Sequence, residues 1–227
     1  MCGRYAFSRV NKQLLERLGL EGDALPDGLE PHWNIAPGQT TAAVRESQAG
    51  RQLELLSWGF PRVGATAGSL VINARAETAA TLPLFREAFR ARRCALPCEG
   101  WYEWRRAETA REPWFIRPAA GETALLAGLW QPRPTGGACF VILTCPAAPS
   151  IAQLHARMPV VLDEESWPLW LGRDGDSRDW TPLLTPWPDS RLDCWAVSPE
   201  VNGTTADHAH LTEPAVATQG WLFEGNP

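Results

Sequence analysis

Lysine is almost missing from this chain. Of 21 basic residues in 227, twenty are arginine and one, Lys12, is lysine. Chemistry that needs a nucleophilic amine is left with two candidates, Lys12 and the amino terminus. Long apolar runs are missing too: no stretch reaches the length of a membrane span, and Arg4 and Arg9 are followed by polar and charged residues where a signal peptide would be apolar. The expectation is a cytoplasmic protein whose six cysteines (2, 94, 98, 139, 145 and 194) are reduced thiols. Histidine occurs four times. Cys94 and Cys98 have the spacing of half a zinc site, but no second pair follows. Nor is there a phosphate-binding glycine loop, a dinucleotide fingerprint or an internal repeat. The expected cofactor is none, and the expected metal is none.

An excess of positive charge is also lacking. The net charge is −5, which argues against a general nucleic-acid binder. Its distribution is less bland, because residues 86–117 hold eight arginines against five acids, whereas 118–227 hold five arginines against thirteen acids. A basic face on an acidic body fits those counts, as does ordinary surface charge.

What the chain does have is a cysteine in second place, in Met1-Cys2-Gly3-Arg4-Tyr5. A small residue after the initiator lets an aminopeptidase remove the methionine, leaving an α-amine and a thiol on one residue. An α-amine has a reference pKa of about 7.7–8.0 against about 10.4 for lysine, so its nucleophilic fraction at neutral pH is roughly 300-fold larger. Such an amine forms Schiff bases with aldehydes, and the thiol can close the imine into a thiazolidine. The thiol could instead act first, as in an N-terminal hydrolase.

Apolar spacing predicts a helix over 8–18, with Ser8 as N-cap and Gly19 as its end, and places Lys12 on the solvated face. Strands are expected at 40–45, 53–60, 114–117, 125–130, 139–144 and 192–197, with short helices at 83–90 and 164–171 and a polar loop at 174–190. Many short strands with few helices imply an α+β, mainly β fold: one domain over 1–227, a barrel-like and largely antiparallel core, a few flanking short helices, and a polar tail from about 203. Asn73 follows three apolar residues, as an amide at a strand's mouth would. In Gly100-Trp101-Tyr102-Glu103-Trp104 alternation sets Trp101 and Glu103 on one face and Tyr102 and Trp104 on the other. A glutamate among aromatic rings loses solvation, which raises its pKa toward acid–base use. His155 ends a helical turn before a proline-led strand.

Together these segments resemble the SOS-response-associated peptidase family, the abasic-site-processing proteins. The resemblance is carried by Cys2-Gly3-Arg4-Tyr5, Asn34-Ile35-Ala36-Pro37, Trp58-Gly59, Ile72 to Thr78, Gly100 to Trp104, His155-Ala156-Arg157-Met158-Pro159 and Val197-Ser198, over residues 2 to about 203. It implies capture of abasic sites in single-stranded DNA, with the Cys2 amine attacking the ring-opened aldehyde and the thiol closing a durable crosslink. By the same resemblance Asn73 would hold the terminus or the sugar, and Glu103 and His155 would move protons. Arg4, Arg75 and Arg157 would contact phosphates, Trp58 and Trp101 would stack on bases, and Pro37 would lie at the DNA surface. It further implies single-turnover action on the nucleoid without a small-molecule cofactor, and self-removal of Met1; a monomer is the default expectation.

Two features depart from the family pattern. Cys98-Glu99 stands where an alanine or proline and an acid are usual, and the sequence leaves open whether that thiol is inert. Asn202-Gly203-Thr204-Thr205 is less basic than the family's tail. Two further readings of the residues stay open: an N-terminal-nucleophile amidase or glutamine amidotransferase, and a non-covalent single-strand binding module.

Overall fold

The computed structural model describes residues 2–20, 25–48, 50–62, 64, 68–106, 111–134, 136–172 and 180–215. In chain order the elements are β1 (Tyr5–Phe7), α1 (Lys12–Leu18), β2 (His32–Ile35), β3 (Thr40–Ser47), β4 (Gly50–Trp58), β5 (Phe60–Pro61), β6 (Leu70–Val71), β7 (Asn73–Arg75), α2 (Ala76–Ala79) and α3 (Arg86–Ala91). They continue with β8 (Arg93–Cys98), β9 (Gly100–Arg106), β10 (Arg111–Pro118), β11 (Ala124–Pro132), β12 (Ala138–Pro146), α4 (Pro149–Ala152), β13 (Arg157–Pro159), β14 (Val161–Leu162), α5 (Ser166–Leu171) and β15 (Leu192–Ala196).

The longest apolar runs form strands buried on both faces: every residue of β8 is buried, as are residues 124–129 of β11 and 139–145 of β12. These three, with β3 and β4, make a closed ring in the order β12-β4-β3-β8-β11, with β11 pairing back onto β12. Within the ring only the β12–β4 step is parallel. Closure removes the exposed edges that such apolar strands would otherwise present. A second, antiparallel sheet runs β15-β10-β9-β1-β2. Tyr5, Trp101 and Ile116 of that sheet belong to the same apolar cluster as Val44, Leu96 and Val141 of the barrel. The expected mainly β, barrel-like architecture is therefore present. The chain crosses from barrel to second sheet at Gly100, where a Cβ would sit 2.6 Å from the Ile116 carbonyl oxygen. Only glycine fits that approach.

Local expectations hold with shifted ends. The first helix starts at Lys12, because Asn11 rather than Ser8 caps it: Leu14 N–H donates to Asn11 Oδ1 at 2.8 Å. The Ser8 hydroxyl donates instead to Glu99 Oε2 at 2.8 Å. Gly19 ends the helix in the left-handed region at φ 65°. Strands outrun their apolar cores by one to three residues, since ladder pairing continues past the last buried side chain. Residues 174–179 of the expected loop lie outside the described residues. The arginine excess has a structural use, since guanidinium planes lie over indole rings, as Arg191 does on Trp187 at 3.8 Å and Arg45 on Trp130 at 4.0 Å.

Over residues 204–215 the expected polar tail is docked onto the fold. Leu211 is fully buried, and Ala215 N–H donates to Ala196 O at 2.8 Å. Asp207 holds this strap to β2, accepting from Trp33 N–H at 2.6 Å and Asn34 N–H at 3.1 Å and contacting His32 Nδ1 at 2.6 Å. Asn34 returns its amide to the carbonyls of Gly203 and Ala206, both at 2.8 Å. Asp207→Ala leaves two backbone donors without their carboxylate, at a cost of about 2 kcal/mol. In a domain of this size that is a melting-temperature drop of about 5 °C, and differential scanning fluorimetry checks it; an unchanged melting temperature would remove the strap from the stability account.

Candidate active site

Cys2 enters the structure through β-pairing. Tyr5 opposes Trp101, and Tyr102 N–H donates to Arg4 O at 3.0 Å. Continuing that antiparallel register carries Cys2 toward Glu103 and Trp104. The Cys2 side chain is fully buried, with its thiol 3.8 Å from Arg4 O. Burial pushes the thiol well above its ordinary value, and the Glu103 carboxylate pushes it further. A thiol in that state is a weak first nucleophile.

Asn73 opens β7, which runs parallel to β12 with Asn73 opposite Ile142. Its Nδ2 donates to Cys2 O at 2.9 Å, and because a carbonyl only accepts, that contact fixes which way the amide points. Its Oδ1 is then turned into a buried position with no partner among the described residues, leaving an acceptor available to an amine or a hydroxyl. Trp58 braces the preceding residue, with Nε1 donating to Ile72 O at 2.9 Å.

Glu103 lies on β9 opposite Trp114 and is 2 % exposed. Desolvation raises its carboxyl to about 7, against a smaller opposing pull from the positive charge of the amino terminus. It therefore changes charge near neutral pH, as a proton-transfer group must. Glu103 shares a pocket of about 480 Å³ with Trp104, Arg111, Gln153 and His155. His155 follows the turn after α4 and is half-buried. Its Nδ1 lies 3.0 Å from the Arg157 N–H and 3.2 Å from the Arg157 carbonyl oxygen, so that nitrogen accepts or donates according to the tautomer. Burial first, and then the positive amino terminus, hold the imidazole below its ordinary value. Asn73 thus touches Cys2, Cys2 feels Glu103, and Glu103 and His155 wall one pocket. The Cys98 thiol is fully buried and raised far out of the thiolate range by burial, so it is inert at neutral pH.

The residues expected to contact DNA are placed less uniformly. Trp58 and Trp101 are core residues with no exposed surface, which corrects the expectation that they stack on bases. Trp58 is itself stacked on Phe140 at 6.1 Å and met edge-on by Tyr5 at 5.3 Å, while Trp101 points inward with Glu103. Arg4 is spent on β2 and the 201–203 turn, donating to Asn34 Oδ1 and Val201 O, both at 2.8 Å. Arg157 clamps both carboxylate oxygens of Glu77 and the Thr144 carbonyl, tying β13 to β12 and α2. Both arginines are thus structural ties, and a phosphate would have to displace those partners. Arg75 and Pro37 are exposed.

Trp104 and Arg111 were not among the expected site residues, yet both line the pocket. Alternation set Trp104 on the face opposite Glu103, but Asn202 Oδ1 accepts its indole N–H at 2.6 Å and holds the half-buried ring at the pocket wall. Arg111 arrives by hairpin pairing with β9, a register without a local sequence signal.

Comparison with known proteins assigns the chain to a family. The chain is 30% identical over 224 residues to the abasic site processing protein YoqW of Bacillus subtilis, spanning 94% of this chain and 99% of that one. It is 28% identical to the abasic site processing protein YedK of Escherichia coli, over 94% of this chain and 100% of that one. A crystal structure of a Bacteroides thetaiotaomicron protein shares the fold with a TM-score of 0.78 at 20% identity, covering 95% of this chain and 100% of that chain. The model of the SOS response associated peptidase (SRAP) family matches residues 1–204, and the chain belongs to that family.

Proposed function

We propose that this protein captures abasic sites in single-stranded DNA covalently, through the α-amine and then the thiol of Cys2. The observation that carries the reading is the Asn73 grip on the Cys2 carbonyl, beside a buried Glu103 that titrates at about 7. The family's relatives named for abasic site processing support the substrate.

In the proposed sequence Met1 is removed, by this site or by an aminopeptidase, to uncover the amine. The amine nitrogen attacks C1′ of the ring-opened deoxyribose, and its proton passes to the new alkoxide through Glu103 or His155. Protonation of the resulting hydroxyl by Glu103 releases water and leaves the iminium, whose nitrogen returns its proton to the Glu103 carboxylate to give the imine. The thiol sulfur then adds to the imine carbon, its proton goes to the nitrogen, and a thiazolidine closes. No oxidant or reductant is needed. Asn73 holds the residue while three groups meet, which makes the ring closure intramolecular. The Trp104 ring offers the aromatic surface that Trp58 and Trp101 do not.

The raised Cys2 thiol disfavours the hydrolase reading, in which a thiolate would attack first. The test is a denaturing gel of the purified protein with single-stranded oligonucleotides carrying one abasic site or none. A shifted covalent band is expected with the abasic strand alone. Its absence, with Cys2 verified as the first residue by mass spectrometry, defeats the proposal.

A further inference from the structure

Four of the eight arginines over 86–117 are consumed by the fold. Arg93 is 5 % exposed and donates to the Trp170 and Gly172 carbonyls, both at 2.7 Å, and Arg92 pairs with Glu87 at 2.8 Å. Arg105 pairs with Glu112 at 2.5 Å, and Arg117 lies over Trp195 at 4.9 Å. Arg111 differs from these four. It is exposed, it lines the pocket with Glu103, Trp104 and His155, and it has no hydrogen bond or ion pair among the described residues. The neighbouring acid cannot neutralise it, because Glu112 Oε2 already accepts from Arg105 Nε at 2.9 Å and Trp114 Nε1 at 3.0 Å. The residue directly opposite is no acid either, since the β9–β10 register sets Arg106 against Arg111.

We infer that Arg111 binds a backbone phosphate of the DNA strand beside the nucleotide seated in the Glu103–His155 pocket. The inference rests on the capture reading for the identity of the strand. A guanidinium with free donors, at the lip of a pocket whose wall carries a tryptophan, matches the two needs of single-strand binding: a cation for the backbone and a ring for a base. It also assigns the contact to a residue with free donors, whereas Arg4 and Arg157 already hold protein partners.

The experiment uses the full chain and an oligonucleotide carrying a tetrahydrofuran abasic analogue, which has no aldehyde and so binds reversibly. Fluorescence anisotropy is recorded across a salt series. Arg111→Ala is expected to weaken binding roughly fivefold at low salt and to lower the slope of log affinity against log salt by about 0.7, the value of one single-strand phosphate. Arg111→Lys keeps most of the slope, because a point charge suffices for that term. Arg191→Ala, at the opposite end of β10, keeps the wild-type slope. Replacing one flanking phosphate with a methylphosphonate should cost the wild type the same affinity and cost Arg111→Ala nothing further. Wild-type affinity and slope in Arg111→Ala overturn the inference. The capture reading fails separately: a wild type that does not crosslink a true abasic strand, while Arg111→Ala still weakens the analogue, leaves the phosphate contact standing.

Discussion

Cys2→Ala is expected to remove every crosslink that survives a denaturing gel, while leaving one that borohydride can trap. The two halves of that result test the two halves of the mechanism. Alanine in second place still permits removal of Met1, so the variant retains an α-amine beside Asn73 and Glu103. That amine can form the imine with the abasic aldehyde. Without a thiol the imine is never closed, and it hydrolyses when the protein unfolds. Borohydride reduces the imine to a stable secondary amine and restores the band. If the thiol acted first, as in the hydrolase reading, the variant would give no band under either condition. A companion variant that retains residue 1 should fail both with and without borohydride, because the amine would then sit one residue away from its partners. The fold argues for amine-first order independently: the thiol is buried and raised by both burial and Glu103, whereas an α-amine starts within about a unit of neutral pH. Closing the ring afterwards asks less of the thiol, since its target is held on the same residue.

How far the sequence revealed this site depended on whether each signal was local. Cys2, Asn73, Glu103 and His155 each sat in a short patterned segment that made it a candidate (an amine-thiol residue, an amide at a strand mouth, a carboxylate among rings, a histidine at a turn), and the family resemblance joined the four into one expected site. The barrel was legible because its strands are apolar on both faces, a pattern that survives without knowledge of partners. The tryptophans were misjudged because a large ring beside a glycine is equally suited to a base or to a core. Trp58 fills the barrel mouth between Tyr5 and Phe140, and only the parallel β12–β4 pairing makes that space. Arg4 and Arg157 carried charge that the sequence could count but not pair, because their partners lie as far away as Val201 and Glu77. Arg111 reached the pocket through a hairpin register, and Trp104 was turned to it by Asn202. Both depend on contacts between distant segments.

Glu103→Gln is expected to slow capture about a hundredfold or more, the usual share of a general acid–base group, and to change the pH profile in a defined way. In the wild type the productive form pairs a free amine with a protonated Glu103. The amine becomes available as pH rises toward about 8, and the carboxyl loses its proton above about 7. The rate should therefore peak between the two and fall on either side. His155, held below its ordinary value by burial and the positive amino terminus, is not the source of the alkaline limb. Glutamine keeps the shape of the side chain but cannot titrate, so the alkaline limb should vanish and the slow residual rate should rise to a plateau. Stability supplies the control against a trivial loss of folding. The folded state keeps the Glu103 proton up to about 7, while the unfolded chain releases it near 4.3. The wild type thus loses stability as pH rises through that window, by about 3–4 kcal/mol. Glutamine has no proton to lose, so the variant should unfold at higher denaturant than the wild type at pH 8, and nearer to it at pH 4. A variant slower in capture yet more stable at pH 8 identifies a carboxyl kept for its chemistry at a cost to the fold. Capture at the wild-type rate with the alkaline limb intact would take Glu103 out of the mechanism.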